Sequence, residues 1–235
     1  MKRAVTCGGR RIEYILIQSV RRDVLLQALP GGETRVYAPK GMRLKDIDST
    51  VMQHAAEILD MHGSLDQKLR DARAAHPMTE GSTVAVEGTM LPIRLGQGRP
   101  GARIQPDAIC VTVPDPTDAE AVRALVRQAL IDRMLPRLRQ RLDHFAPRIG
   151  GAYGRVTVRE QRSRWGSCSA KHNLNFNWKL IMAPKPVLDY VVIHELCHLH
   201  EFNHSPRFWS LVEAQMPEYR VWKKWLKDHG DELGV

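Results

Sequence analysis

The chain has 235 residues, with 35 Lys and Arg against 26 Asp and Glu and a formal net charge of +9. This length fits one large or two small domains and excludes a large multidomain protein. Hydrophobic residues make up 43% of the chain and charged residues 26%, which excludes a wholly disordered protein. The excess positive charge is spread over both halves of the sequence, so we interpret it as a mildly basic, solvated surface.

The cysteines and the N-terminus bear on where the protein works. The four cysteines are far apart and form no C-x-x-C pair, which is typical of a reduced, intracellular protein. The residues after Met1 lack the apolar stretch of a signal peptide. No apolar run reaches the roughly 18 residues of a membrane span. We therefore expect a cytoplasmic protein without a membrane segment.

The first part of the chain is rich in strand-like segments. Apolar and β-branched residues predict strands, with a hairpin turn at Pro30-Gly31-Gly32 and one helix over 49–75. The predicted strands cover 12–20, 24–29, 34–38, 83–86, 91–95 and 109–113. The stretch from Gly96 to Pro106 is rich in Gly and Pro and is interpreted as a connection.

The segment Pro114 to Asp118 is interpreted as a domain boundary. We therefore predict an α+β protein with a strand-rich N-terminal domain over 1–114 and a largely helical domain over 115–235. Thr117 or Asp118 can cap a long helix that runs to about Phe145, with a kink at Pro136. Later predicted elements are strands at 156–158 and 174–181 and helices at 187–199, from 205 onward and at 219–229.

Arg133, Arg137 and Arg141 form a stripe at four-residue spacing on the long helix. The stripe could follow a phosphate backbone, or it could be a solvated face paired with Asp and Glu. We favour the second interpretation, because the chain has no zinc finger, helix-turn-helix signal or aromatic stacking motif. We therefore predict no specific binding of nucleic acid.

Residues 194–198 read His-Glu-Leu-Cys-His, the H-E-x-x-H pattern. Four residues advance a helix by about 400 degrees, so His194 and His198 project from one face and can share a metal ion. Glu195 lies one step round the helix, where it can act as general base for a metal-bound water. The preceding segment, 187–193, is strongly apolar and predicts a buried, rigid helix. The competing interpretation is a histidine-rich helix end without metal.

A third ligand is available at His204, six residues after His198. A continuous helix would carry it about 9 Å farther along the axis, so it reaches the same metal only if the chain turns. Asn203 can end a helix and Ser205-Pro206 can begin the next, which predicts that turn. The spacing equals that of the metzincin pattern, but Glu201 replaces its Gly, so the route of the turn must differ. The alternative third ligands are His200 and Glu201.

Four segments carry a resemblance to a known family. They are Arg-Ser-Arg-Trp-Gly-Ser-Cys at 162–168, Leu-Asn-Phe-Asn-Trp at 174–178, the apolar segment through H-E-x-x-H at 188–198, and Asn-His-Ser-Pro-Arg-Phe-Trp at 203–209. In these segments the chain resembles the YgjP-like metallopeptidases and, more distantly, the SprT-like proteases of DNA–protein crosslink repair. The resemblance implies a compact, gluzincin-like zinc-protease domain with His204 as the third ligand.

We therefore predict a zinc metallopeptidase. In this reading Zn²⁺ is held by His194, His198 and His204, and Glu195 is the general base. The substrate is an extended peptide or unfolded protein, added as a strand along 164–168 or 174–181. Two other classes compete: a zinc-bearing protein- or DNA-binding module without turnover, and a metal-dependent hydrolase of non-peptide substrates.

Several roles around the centre stay open at this point. The candidates for stabilising the oxyanion are Tyr190, Tyr219 and Arg207. The candidate acceptors for imidazole N–H groups are Asp189, Glu213 and Glu218. Cys168 is interpreted as a buried cysteine rather than a latent zinc ligand. The aromatic residues interpreted as packing the closing helices are Phe208, Trp209, Trp222 and Trp225.

Overall fold

The computed structural model describes residues 1–29, 32–161 and 164–235. Pro30 and Gly31 of the expected hairpin turn, and Arg162 and Ser163 of the first family segment, lie outside the described residues. The chain forms two compact units, Met1–His76 and Pro77–Val235. No helix among the described residues is both long and apolar enough to cross a bilayer.

The first unit is a four-stranded sheet covered by two helices. The strands are β1 (Lys2–Cys7), β2 (Arg10–Ser19), β3 (Leu25–Ala28) and β4 (Thr34–Pro39), in the order β1-β2-β4-β3. The helices are α1 (Leu44–Gln53) and α2 (Ala55–Ala75). Alternate apolar residues of the strands face the buried residues of the helices. The expected strands are confirmed, while β1 was not predicted, and the single expected helix is two helices separated at His54.

The second unit begins with another sheet, packed on one long helix. Its strands are β5 (Thr83–Val86), β6 (Thr89–Gln97), β7 (Gly101–Ile104) and β8 (Ile109–Val113), in the order β5-β6-β8-β7. The helix α3 (Ala119–Ile149) is capped by the Asp118 side chain, which accepts from the Ala121 N–H at 3.0 Å. It continues through Pro136. The Gly/Pro-rich connection expected before residue 106 therefore contains a strand, β7.

The division of the chain falls at His76 and Pro77 rather than after residue 114. The apolar side chains of β5, β6 and β8 lie in the same core as the apolar stripe of α3. That stripe consists of Val122, Val126, Leu130, Met134, Leu138, Leu142 and Phe145, all buried. Since sheet and helix bury their apolar faces on each other, residues 77–114 belong to the unit that carries the H-E-x-x-H helix.

A three-stranded sheet and three helices complete this unit. The strands β9 (Val156–Arg159), β10 (Gly166–Cys168) and β11 (Leu174–Asn177) are ordered β10-β11-β9, so β10 is an edge. The helices are α4 (Lys185–Cys197), α5 (Pro206–Gln215) and α6 (Tyr219–His229). The strand expected over 174–181 is wrong beyond Asn177, since Trp178–Ile181 is a 3₁₀ helix. The Asn177 side chain causes this ending, because it caps the helix by accepting from the Lys179 N–H at 3.2 Å.

Candidate metal centre

The helix α4 lies in the middle of the core of the second unit. Pro184 precedes it and Pro186 lies in its first turn, where a proline costs no helical hydrogen bond. Nearly every residue from Val187 to Cys197 is buried, on all faces of the helix. A helix enclosed in this way holds the side chains that project from it in fixed positions.

Three imidazoles converge on one point beside this helix. The Nε2 atom of His194 lies 3.2 Å from that of His198 and 3.0 Å from that of His204. Two nitrogens on a tetrahedral zinc ion, at bonds of about 2.0–2.1 Å, would lie roughly 3.3 Å apart. The three histidines are the one group of potential metal ligands found among the described residues. The donor set and its spacing therefore fit a zinc ion.

A sharp turn brings His204 back to α4. The helix ends at Cys197, and the N–H groups of Leu199 and His200 bond to carbonyls three residues earlier. The next helix begins at Pro206, with the Ser205 hydroxyl accepting from the Phe208 N–H at 3.3 Å. The expected turn between the histidines is confirmed, although the helix ends earlier than residue 199. His200 points elsewhere, because its Nε2 lies 3.0 Å from the carbonyl oxygen of Ile149 at the end of α3.

The surroundings of His194 and His198 favour the neutral form of both imidazoles. Burial, and after it the neighbouring His198 and His204, lower the pKa of His194 to about 3. Burial also lowers the pKa of His198. The Nδ1 of His198 donates to the carbonyl oxygen of Glu201 at 2.9 Å, which leaves the lone pair of Nε2 facing the cluster. Neutral imidazoles with inward lone pairs are the form that binds a metal.

Glu195 is buried beside the cluster, against the edge strand β10. The side chain of Glu195 is so close that a Cβ on Gly166 would lie 2.5 Å from its Oε1. Burial raises the pKa of Glu195 to about 8, while Arg164 and the backbone N–H of Cys168 lower it. Its Oε2 is buried without a hydrogen-bond partner among the described residues. A buried carboxylate oxygen without a partner is costly unless a ligand or water meets it.

A cavity of about 450 Å³ opens over Glu195 and the histidines. Its wall is lined by Arg164 to Cys168, Tyr190, Val191, Phe202 and Leu226. Of the three oxyanion candidates taken from the sequence, only Tyr190 lines the cavity. It is 6% exposed, and its hydroxyl has no hydrogen bond within the described part of the chain. Trp165 belongs to the segment 164–168 that was expected to border the substrate, whereas the side chain of Leu226 was not predicted here, because it comes from a segment distant in sequence.

Among the described residues, no strand pairs with the outer edge of β10, beside this cavity. The carbonyl oxygen of Trp165 accepts from the N–H of Asn177, and the N–H of Ser169 donates to the carbonyl oxygen of Asn173. Ser167, midway between them, pairs with Asn175 of β11. In an antiparallel pair, the residues between such bonds direct their backbone groups to the other side. The backbone groups of Gly166 and Cys168 therefore point to the outer edge, where the N–H of Cys168 meets Glu195.

Comparison with known families shows which family the chain belongs to. The model of the YgjP-like metallopeptidase domain matches residues 22–229 of the chain. The protein belongs to the YgjP-like metallopeptidase family. The resemblance read from the motifs is thereby confirmed, as is the α+β fold. No curated protein matches the chain.

In this member of the family the arginine stripe of α3 is paired with carboxylates. Arg133 and Arg137 lie 3.5 and 3.6 Å from the carboxylate of Glu87, and Arg141 lies 2.5 and 2.9 Å from the two oxygens of Asp189. The interpretation of the stripe as a face paired with acidic residues is confirmed. Asp189 is thus engaged by an arginine of α3 and is not the acceptor of an imidazole N–H.

Proposed function

We propose that this family member is a zinc metallopeptidase whose ion is held by His194, His198 and His204. The observation that carries the proposal is the convergence of three Nε2 atoms, with those of His198 and His204 lying 3.2 and 3.0 Å from that of His194, beside the buried Oε2 of Glu195, which has no partner among the described residues. Imidazole nitrogens are common ligands of zinc, and catalytic zinc sites typically use three protein ligands, the number that this cluster offers. When bound, zinc would supply a Lewis acid for water and the substrate carbonyl.

Glu195 is the proposed general base and acid. Its carboxylate takes a proton from the attacking water and returns it to the nitrogen of the leaving amine as the C–N bond breaks. Gly166 lets the strand β10 approach this carboxylate, and the N–H of Cys168 orients it. The role needs an ionised carboxylate, and Arg164 at the cavity wall favours that form.

The substrate is proposed to be an extended peptide or unfolded protein segment. The N–H and carbonyl of Gly166 and the carbonyl of Cys168 offer main-chain hydrogen bonds at a sheet edge that already borders Glu195. Tyr190 offers a hydroxyl donor inside the same cavity. A nearly buried phenol without a partner is suited to receive the oxygen of a substrate carbonyl.

The test compares wild type with three variants on denatured casein, with and without a chelator. We expect close to one zinc per chain, less zinc in His194→Ala and His204→Ala, and full zinc without cleavage in Glu195→Gln. Gln keeps the shape of the base but accepts no proton. A metal-bearing wild type that cleaves nothing would favour a binding module. Activity on small esters or amides but on no peptide would favour a non-peptide hydrolase.

A further inference from the structure

His204 is the least supported of the three histidines by polar contacts. It lies in the loop before α5, its side chain is exposed, and it is the only member of the cluster outside α4 and its C-cap. The Nδ1 of His198 is fixed by the carbonyl of Glu201. Within the described part of the chain, no such bond reaches Nδ1 of His204, and the one polar neighbour of its ring is His194. Hydrogen bonding therefore leaves its ring orientation open.

Ring packing supplies the missing constraint. The ring of Trp209 is stacked on that of His204, with centroids 5.7 Å apart and planes inclined by 25°. Trp209 is in turn stacked on Tyr219 of α6 at 5.3 Å and 13°. The ammonium of Lys223, also on α6, lies 4.0 Å from the centroid of Trp209. The indole is thus held by α6 and presents a flat surface to the exposed imidazole.

We propose that Trp209 is the positioning residue of His204. Its indole holds the imidazole with Nε2 towards His194 and His198, the role that a carbonyl oxygen plays for His198. The inference rests on the proposed metal site and deepens it, since Trp209 then sets how strongly the third ligand contributes to binding. Groups that orient metal ligands typically change metal affinity by about 10–100-fold when removed.

Phe208 is a different kind of neighbour, although it contacts the same ring. It is fully buried and lies 4.5–4.9 Å, centroid to centroid, from all three imidazoles. Its replacement would disturb the whole cluster and the core together. Trp209 is only partly buried, but its ring also lies 5.9 Å from that of His194, with the planes inclined by 60°. Replacing Trp209 with and without His204 in place therefore separates the orientation of His204 from the contact with His194.

The experiment measures the zinc dissociation constant by competition with a chromophoric chelator. We expect Trp209→Met to weaken zinc binding 10–100-fold and Trp209→Phe, which keeps a ring, to restore most of the affinity. The matched control is Trp222→Met on α6, which is partly buried in the same core but has no ring contact with the histidines, and it should bind like wild type.

A double-mutant comparison separates positioning from general loosening. In the background of His204→Ala, Trp209→Met should weaken binding no further, because the ligand that it positions is gone. If Trp209→Met does not fold, comparing the zinc affinities of Trp209→Phe and Trp209→Leu gives the same contrast between an aromatic and an aliphatic side chain. The proposal would be overturned if the Trp209 variants bound zinc as tightly as wild type. It would also be overturned if Trp209→Met weakened zinc binding as much in the His204→Ala background as in wild type. A wild type that binds no zinc would instead overturn the proposed function itself.

Discussion

Replacing Gly166 by alanine tests the geometry of the proposed general base, Glu195, without removing any chemical group. The backbone of Gly166 is not in the left-handed region, so alanine is compatible with its conformation. The added Cβ would lie 2.5, 2.7 and 2.8 Å from Oε1, Cγ and Cδ of Glu195. All three atoms belong to the carboxyl end of one buried side chain, so that side chain must move.

The size of the movement follows from these distances. Ordinary contacts of a Cβ begin at 3.4 Å, so Oε1 must withdraw by about 1 Å. A misplacement of about 1 Å can cost on the order of 10²-fold in rate. Crowding of this kind also destabilises a core by roughly 1–3 kcal/mol. We therefore expect Gly166→Ala to fold, bind zinc and lose about 99% of kcat/KM, an order-of-magnitude figure that follows from the same misplacement.

The assay measures kcat/KM on a peptide derived from a casein cleavage site, with zinc content and Tm measured on the same samples. Gly101→Ala is the matched control, because its Cβ in strand β7 would meet only Thr112 Oγ1 at an ordinary 3.7 Å. The control should cleave like wild type. If Gly166→Ala retains wild-type kcat/KM with full zinc content, the position of Glu195 does not govern catalysis, and the reasoning fails.

Three further predictions concern other contacts. Tyr190→Phe should retain zinc but lower kcat by about 10²–10³-fold, as expected for one lost oxyanion donor; unchanged steady-state kinetics would remove Tyr190 from the mechanism. Asp189→Asn should lower the free energy of unfolding by about 1.5–3 kcal/mol in a urea titration, because it breaks the half-buried bidentate pair with Arg141. The hydrogen bond from Arg3 lowers the pKa of Asp48 in the folded state. The pair therefore stabilises the fold fully at pH values above the ordinary Asp pKa of about 3.9. This stabilisation is lost as the pH falls through the lower pKa of the folded state. The Tm of Asp48→Asn should therefore lie below that of wild type at pH 7 and approach it in acid, and a gap independent of pH would contradict the assignment.

The histidine cluster was largely predictable because its information is local. The spacing of His194 and His198 places both on one helix face, and the helix-ending and helix-starting residues before Pro206 predict the turn that brings His204 back. The local pattern left His200 and Glu201 as alternative third ligands, and the family resemblance favoured His204. The apolar stripe of α3 was predictable for the same reason, since its apolar residues recur every three or four positions along the sequence.

The surroundings of the cluster were less predictable because they depend on long-range contacts. Nothing in the sequence near Gly166 says that Glu195 will lie against it, since the two meet only when the sheet packs on α4. The alternation of apolar and polar residues over 174–181 predicted a longer strand, but the side chain of Asn177 caps a 3₁₀ helix that begins at Trp178. Trp209 was interpreted as packing alone, because ring stacking on His204 appears only in three dimensions.

The position of Phe208 bears on how the proposed metal site would form. A fully buried ring of the core contacts all three imidazoles, so the cluster is assembled by the same packing that forms the domain. Zinc fingers, in contrast, are unfolded without their ion. In the proposed site the folded core would hold the imidazoles in place before the ion binds. Zinc would then control the activity of a protein that is already folded, rather than its folding.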